Sequence, residues 1–321
     1  MPSLRPVTVG EGERRSGGRR RRRPSPILAA LVGAACISSS GIVVDLAHAE
    51  AGTTAFLRCA FALPLLYPLA VAEERKLGTA RALRARLMAA LAGAFLGADL
   101  VLWTHSLYDV GAGIATVLGN LQVLFVTAIA WAVLKERPKK RFLFVLPFVL
   151  LGVVLCAGLV GRAATGNDPA GGIVFGVATS VCYAIFILLL RRATSGQQAV
   201  AGPLADASTG AALAGLLLGL LVHELSLRIS LGALGWLVLL AVVSQTLGWL
   251  CITSALPRLP AALSSLLLLL QPAGALVLAA VVLSQRPSVV QLLGAAVVCG
   301  GVLCASWPGE GDEPQPAPAP G

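Results

Sequence analysis

The chain has 321 residues, of which 57% are hydrophobic and only 12% charged, with 35 glycines. A soluble domain carries about a quarter charged residues, so this composition excludes an ordinary soluble globular protein and indicates repeated membrane crossing. A net charge of +10 would suit a nucleic-acid binder, but eight of the 25 basic residues lie in the first 23 positions and most others fall between apolar stretches. That distribution sets membrane topology, and no nucleic-acid partner is expected.

In chain order, residues 1–26 form a basic tail with arginines clustered from Arg14 to Arg23, expected to be disordered, cytoplasmic and in touch with anionic lipid. Breaking the remainder at charges, prolines and glycines leaves ten apolar stretches: 27–47, 52–72, 87–107, 111–134, 142–161, 170–191, 203–222, 232–254, 260–283 and 289–306. Each has roughly the 20 residues a helix needs to cross a hydrocarbon core of ~30 Å. The links at 48–51 and 108–110 are short. Residues 307–321 close the chain with a proline-rich run from Pro314, expected to be extended and disordered. A rival reading of the start is a secretory signal cleaved after Ala47-His48-Ala49, although its apolar run is long for one and cleavage would remove the first span.

The placement of arginine and lysine orients these spans. With the N-terminus in the cytoplasm, the inside segments hold 21 of the 25 basic residues. The outside loops hold Arg162, Arg228 and Arg286, and Arg58 lies within a span. Both termini are therefore predicted to be cytoplasmic in a multi-pass protein of the cell membrane. The seven cysteines (Cys36, Cys59, Cys156, Cys182, Cys251, Cys299 and Cys304) all fall in apolar runs without a CxxC pair. They read as small core residues, and neither a disulfide framework nor a metal site is expected.

The sequence repeats itself. Leu121-Gln122, Leu134, Arg137-Pro138 and Gly152 recur 149 residues later as Leu270-Gln271, Leu283, Arg286-Pro287 and Gly301. This offset maps the fourth span onto the ninth and the fifth onto the tenth, giving two five-helix units, 27–161 and 170–306. Because five is odd, the units are expected to lie upside down relative to one another, as in alternating-access transporters. The flanking charges agree. Lys135, Lys139, Lys140 and Arg141 surround the first Arg-Pro, whereas Ser284, Ser288, Val289 and Val290 surround the second. The reading is an all-α membrane protein with ten transmembrane helices in two inverted five-helix repeats.

These features resemble the drug/metabolite transporter superfamily, and its EamA-type family most closely. Lys135-Glu136-Arg137-Pro138 closing the fourth span, Phe56-Leu57-Arg58-Cys59-Ala60-Phe61 in the second and Leu268-Leu269-Leu270-Gln271-Pro272 in the ninth carry the resemblance, which covers roughly residues 27–306. One departure is Gln285, where the family commonly has Glu; its counterpart in the first copy is Glu136. The resemblance implies a transporter of a small organic metabolite, amino acid or drug, and favours export.

Ionisable groups in hydrocarbon are costly, so each is a functional candidate. Arg58 lies about six residues from the outer end of its span and Asp99 about eight, hence ~9 and ~12 Å deep at the helical rise. Their similar depth allows an ion pair between them, a structural tie that would fix helix packing, with Asp45 as a competing partner. Asp99 alternatively faces a cavity as a substrate-binding or protonatable carboxylate. His105 is a candidate relay or a plain interfacial histidine, so protons are candidate coupling partners. Gln122 and Gln271 are symmetry mates near the midplane, where transporter sites lie. Gln245, Tyr183, Trp103, Trp249 and the Ser38-Ser39-Ser40 cluster, Ser39 at its centre, are candidates to line the same cavity; packing is the competing role for each. The pairs Gly93/Gly97, Gly172/Gly176 and Gly215/Gly219 are small-xxx-small faces suited to close helix contact.

The favoured function is secondary transport by rocking of the two repeats, without cofactor. No Gly-x-x-x-x-Gly-Lys-Ser/Thr loop is present to bind ATP. An intramembrane enzyme would need a constellation such as His-Glu-x-x-His, and the three histidines, His48, His105 and His223, are isolated in sequence. A membrane scaffold or sensor is the third reading. Expected partners are a small-molecule substrate, membrane lipid and, as a candidate, a second copy in a homodimer.

Overall fold

A computed structural model describes residues 25–78, 80–110, 112–156, 168–226, 228–282 and 288–306. All their regular secondary structure is helical, with no strand among them. The helices are α1 (Pro26–Ser38), α2 (Ser40–Ala47), α3 (Ala51–Ala60), α4 (Leu63–Leu77), α5 (Leu83–Val110), α6 (Ala112–Asn120), α7 (Gln122–Leu134), α8 (Lys140–Cys156), α9 (Pro169–Thr194), α10 (Ala201–Leu221), α11 (Leu231–Leu240), α12 (Trp249–Ala255), α13 (Ala261–Leu268), α14 (Leu270–Val282) and α15 (Val289–Ser306). A π-helical segment, Ala241–Gly248, joins α11 to α12, and a 3₁₀ turn, Leu256–Arg258, follows α12.

Among the described residues, eight helical stretches are long and apolar enough to cross a membrane: Pro26–Ala47, Ala51–Leu77, Leu83–Val110, Ile114–Leu134, Pro169–Thr194, Ala201–Leu221, Leu231–Arg258 and Ala261–Val282. They coincide with eight of the ten stretches expected from hydropathy. The fifth and tenth correspond to the shorter helices α8 and α15. Residues 157–161, Arg162, Gln285, Arg286, residues 1–24 of the expected N-terminal tail and residues 307–321 lie outside the described residues, whereas Ser25 and Pro26, counted in that tail, cap and begin α1.

Several helices outrun their expected ends. The second span continues through Glu73, Glu74, Arg75 and Lys76 to Leu77, where Gly78, at φ +66°, terminates it. The third begins at Leu83 and carries Arg84 and Arg86 in its first turns. Charge marks where hydrocarbon ends, but a helix continues past it because long charged side chains reach water while their stems cover apolar surface.

The spans themselves are interrupted, for local reasons. Pro64 and Pro272 lack the N–H that would bond the carbonyl four residues back, and the helix breaks at Phe61–Ala62 and at Leu269. In the first span, Ser38 Oγ donates to Ala34 O at 2.8 Å and Ser39 Oγ to Cys36 O at 2.8 Å. Such back-bonding competes with the helical ladder, which breaks at Ser39. The fourth span breaks at Leu121, just after Asn120 turns its amide back onto Thr116 O at 2.7 Å. In the π segment, Thr246 Oγ1 reaches Ala241 O at 2.8 Å, five residues back.

Neither half of the chain has a core to itself. α5, from the first half, packs along both α9 and α10 of the second, while α8 packs along α15. One buried cluster unites Leu66, Leu96, Phe186, Leu204 and Trp249; another unites Val123, Val149, Leu266 and Val298. The glycines make this interlocking possible. A Cβ on Gly93 would fall onto the Ala207 carbonyl, and one on Gly210 onto the Ala90 carbonyl, so α5 and α10 touch backbone to backbone.

Candidate functional site

The polar residues of the spans converge on the helix interruptions. Arg58, near the end of α3, is only 5% exposed and donates from Nη2 to Ser244 Oγ at 3.2 Å in the π segment. Ser244 also shares a 2.6 Å hydrogen bond with Ser40, just past the break in the first span. Three spans from both halves thus meet at one hydroxyl. Next to it, Gln245 Nε2 donates to Ser208 Oγ of α10 at 3.2 Å. Gln122, the first residue after the fourth-span break, is 2% exposed and donates from Nε2 to Ser265 O of α13 at 3.3 Å.

Asp99 on α5 is 6% exposed, and its carboxylate has no hydrogen-bond or ion-pair partner among the described residues. Its backbone carbonyl accepts from Thr179 Oγ1 of α9 at 3.4 Å. The neighbouring Ser180 donates to Leu118 O and, at 3.2 Å, to Gly119 O, fastening α9 to the turn before the fourth-span break. Asp99, Arg58 and Tyr183 lie within electrostatic range of one another, and Tyr183 reaches the Gln271 side chain. Trp249 is buried with its ring edge-on to Tyr183 and Phe186, at centroid separations of 6.1 and 4.7 Å. Trp103 stands beside Gly119 and is half-buried.

Several polar atoms here are left without partners. Arg58 Nε, Gln122 Oε1 and Gln245 Oε1 are buried without a hydrogen bond. In a membrane interior, where no bulk water compensates, such groups are expensive. Two clefts among the described residues, of about 760 and 490 Å³, lie elsewhere: one along Tyr67 to Lys76, the other around Trp131.

Some expectations are corrected. The Arg58–Asp99 ion pair does not form within 4.0 Å; Ser244 takes the guanidinium instead. Asp45 does not compete for it, being exposed near the end of α2. Ser39 bonds within its own helix, and Ser40 makes the cross-span contact. His105 is not isolated in space: its Nε2 lies 3.3 Å from Glu224 and its ring stacks on Phe175.

Other polar ties were not anticipated. Glu136 holds Arg191 Nη1 at 2.5 Å and accepts from the Ala261 amide at 3.2 Å, while Arg191 Nε donates to Leu256 O at 3.2 Å. Glu73 accepts the amides of Val200 and Ala201 at 2.9 and 2.8 Å, at the start of α10. Arg81 binds Asp206 at 2.6 Å and Glu74 at 3.0 Å. At the opposite end Thr53 Oγ1 donates to Ser226 O at 3.1 Å. Apart from the Arg81–Glu74 pair and the Arg191–Leu256 bond, these contacts join the first half to the second. Asp206, a carboxylate inside the expected seventh span, was the overlooked signal.

The model of the EamA-like transporter family matches the chain twice, over residues 24–158 and 170–307. The ends of those matches, 158 and 307, are separated by the 149-residue offset of the internal repeat. No curated protein matches the chain. A solved crystal structure, described only as that of a protein, is similar with a TM-score of 0.72 at 17% identity, over 87% of this chain and 97% of its own. At that identity the likeness shows the fold alone.

Proposed function

The chain belongs to the EamA-like transporter family, and from that premise we propose a secondary transporter that exports a small organic solute across the cell membrane by alternating access. In this reading α8 and α15 complete ten transmembrane helices, arranged as two inverted five-helix repeats with both termini in the cytoplasm. The observation that carries it is the coincidence of helix interruptions with unsatisfied polar atoms. Arg58, Ser244, Gln245, Gln122 and Gln271 all sit in or within a few residues of a break. Broken helices around the membrane midplane expose backbone and side-chain groups that a polar solute can satisfy.

The ties between halves supply the two gates. Glu136–Arg191, Glu73 on the start of α10 and Arg81–Asp206 lie at the end assigned to the cytoplasm. Thr53–Ser226 and His105–Glu224 lie at the outer end. Rocking requires each set to open in turn around a fixed polar centre. Candidate substrate-contacting residues are Gln122, Gln271, Asp99, Gln245, Trp103, Tyr183 and Trp249, with Asp99 and His105 as candidates for proton coupling.

The test is reconstitution of purified protein in liposomes loaded with a panel of labelled amino acids, metabolites and drugs. Saturable movement of at least one compound above protein-free liposomes is expected. Failure of every compound under every imposed gradient would refute transport and favour a scaffold.

A further inference from the structure

We infer that the two clefts along α4 and α7 are binding sites for an anionic phospholipid. They share one helical pattern. Pro68, Val71, Ala72 and Arg75 line the first. Ala128, Trp131, Ala132 and Lys135 line the second. Both sets have the spacing i, i+3, i+4, i+7, which puts them on one helix face. In each, the apolar wall belongs to a membrane-crossing stretch and the cation stands at its C-terminal end. Lys76 and Arg137 bring a second cation to each cleft. Tyr67, tied to Thr209 of α10 at 3.0 Å, and Trp131, 57% exposed, supply the amphipathic rings found where hydrocarbon meets headgroups.

The neighbouring acids turn away from these cations. Glu73 and Glu74 precede Arg75 and Lys76, but Glu73 accepts the Val200 and Ala201 amides and Glu74 accepts from Arg81. Glu136 stands between Lys135 and Arg137. The chain turns at Lys135, with φ +57°, and Glu136 is taken by Arg191 and the Ala261 amide. Arg75, Lys76, Lys135 and Arg137 are exposed and have no ion pair among the described residues. Because Glu73 and Glu136 reach the start of α10 and the end of α9, both clefts open at the same end of the bundle. A soluble anion would meet the cations but not the apolar wall. A zwitterionic lipid would cover the wall and leave two cations without net countercharge. An anionic phospholipid satisfies both, with its phosphate between the cations and its acyl chains along the helix. The inference needs the chain to span a membrane and is independent of whether it moves a solute.

The test is native mass spectrometry of the full-length protein in detergent, offered phosphatidylglycerol, phosphatidylcholine with the same acyl chains, or glycerol 3-phosphate. Wild-type protein is expected to retain two phosphatidylglycerol molecules, bound about ten-fold more tightly than phosphatidylcholine, and no glycerol 3-phosphate. Arg75→Gln with Lys76→Gln, and separately Lys135→Gln with Arg137→Gln, should each weaken one of the two sites about ten-fold. Arg84→Gln with Arg192→Gln removes two basic residues at the same end but outside both clefts, and should leave both lipids in place. Equal retention of the two lipids, or an equal loss in the Arg84 and Arg192 variant, would overturn the inference. Retention of glycerol 3-phosphate as strong as that of phosphatidylglycerol would also overturn it, in favour of a soluble anion. If a variant does not fold, the three probes on wild-type protein decide.

Discussion

The α5–α10 crossing can be broken with one methyl group. At Gly93 an added Cβ would overlap the Ala207 carbonyl oxygen and lie 2.5 Å from its carbon and 2.8 Å from its Cα. These are backbone atoms of a buried helix, so no rotamer change relieves the overlap and the two helices must part. Parting also loosens Gly97, whose Cβ would lie 2.6 Å from Ala211 O, and the contact of Gly210 with Ala90. Overpacking of this kind costs about 1–3 kcal/mol, and a rigid neighbour places Gly93→Ala near the upper end. Replacing glycine in a helix returns up to ~1 kcal/mol of propensity, leaving a net loss of about 2 kcal/mol. Gly235→Ala, in α11 with nothing within 4 Å of its Cβ, is the control and should be neutral or slightly stabilising. Thermal unfolding of detergent-solubilised protein, read as the fraction remaining monodisperse, distinguishes the two. A Gly93→Ala protein as stable as wild type, or an equal loss at Gly235, would refute the backbone contact.

Three further outcomes follow from the polar ties. Asp206→Ala removes the main partner of Arg81, whose side chain is 8% exposed, and should cost about 3 kcal/mol, the lower end for breaking a buried pair because Glu74 remains; replacing both residues with leucine or methionine should recover most of that loss in the same unfolding assay. Ser244→Ala strips the hydrogen bond from a charged guanidinium and should destabilise by about 1.5–3 kcal/mol, whereas Ser40→Ala, which loses a neutral contact, should cost about 0.5–1.5 kcal/mol. Glu136→Gln should loosen the tie to Arg191, proposed above as part of the cytoplasmic gate. Its side chains are partly exposed, so the effect is about 1 kcal/mol, seen as a several-fold rise in labelling of a single cysteine at Ser265 from the cytoplasmic side of inside-out vesicles; unchanged labelling would dissociate that tie from gating.

The spans were legible because long apolar runs have few alternatives, and hydropathy located all eight described crossings. The glycine faces were legible too: Gly93/Gly97, Gly172/Gly176 and Gly215/Gly219 each meet a neighbouring helix. What hydropathy could not show was the interior of each span, since a helix break leaves mean apolarity unchanged. The signals were nevertheless present in Pro64, Pro272 and the three serines at 38–40, residues that deprive the helix of a donor or compete for its carbonyls. The failed Arg58–Asp99 pairing has a different cause. Depth along two spans is computable from the helical rise, but rotation about each helix axis is set by packing that one sequence does not reveal.

The copies differ most where the structure is most polar. The fourth and ninth spans both break, at Leu121 and Leu269, close to the repeat offset, so that feature belongs to the shared unit. The breaks in the first and second spans have no counterpart in α9 or α10, which run unbroken through the equivalent positions. The buried cation of the first half, Arg58, sits beside one of those unmatched breaks, and the hydroxyl it binds belongs to a π segment of the second half. A duplicated scaffold needs only its shared features to stay folded, and a buried charge without a countercharge makes it harder to fold. If the proposed transport holds, a solute entering the site would supply the missing partner, and selectivity would then rest on the asymmetric elements rather than on the repeat.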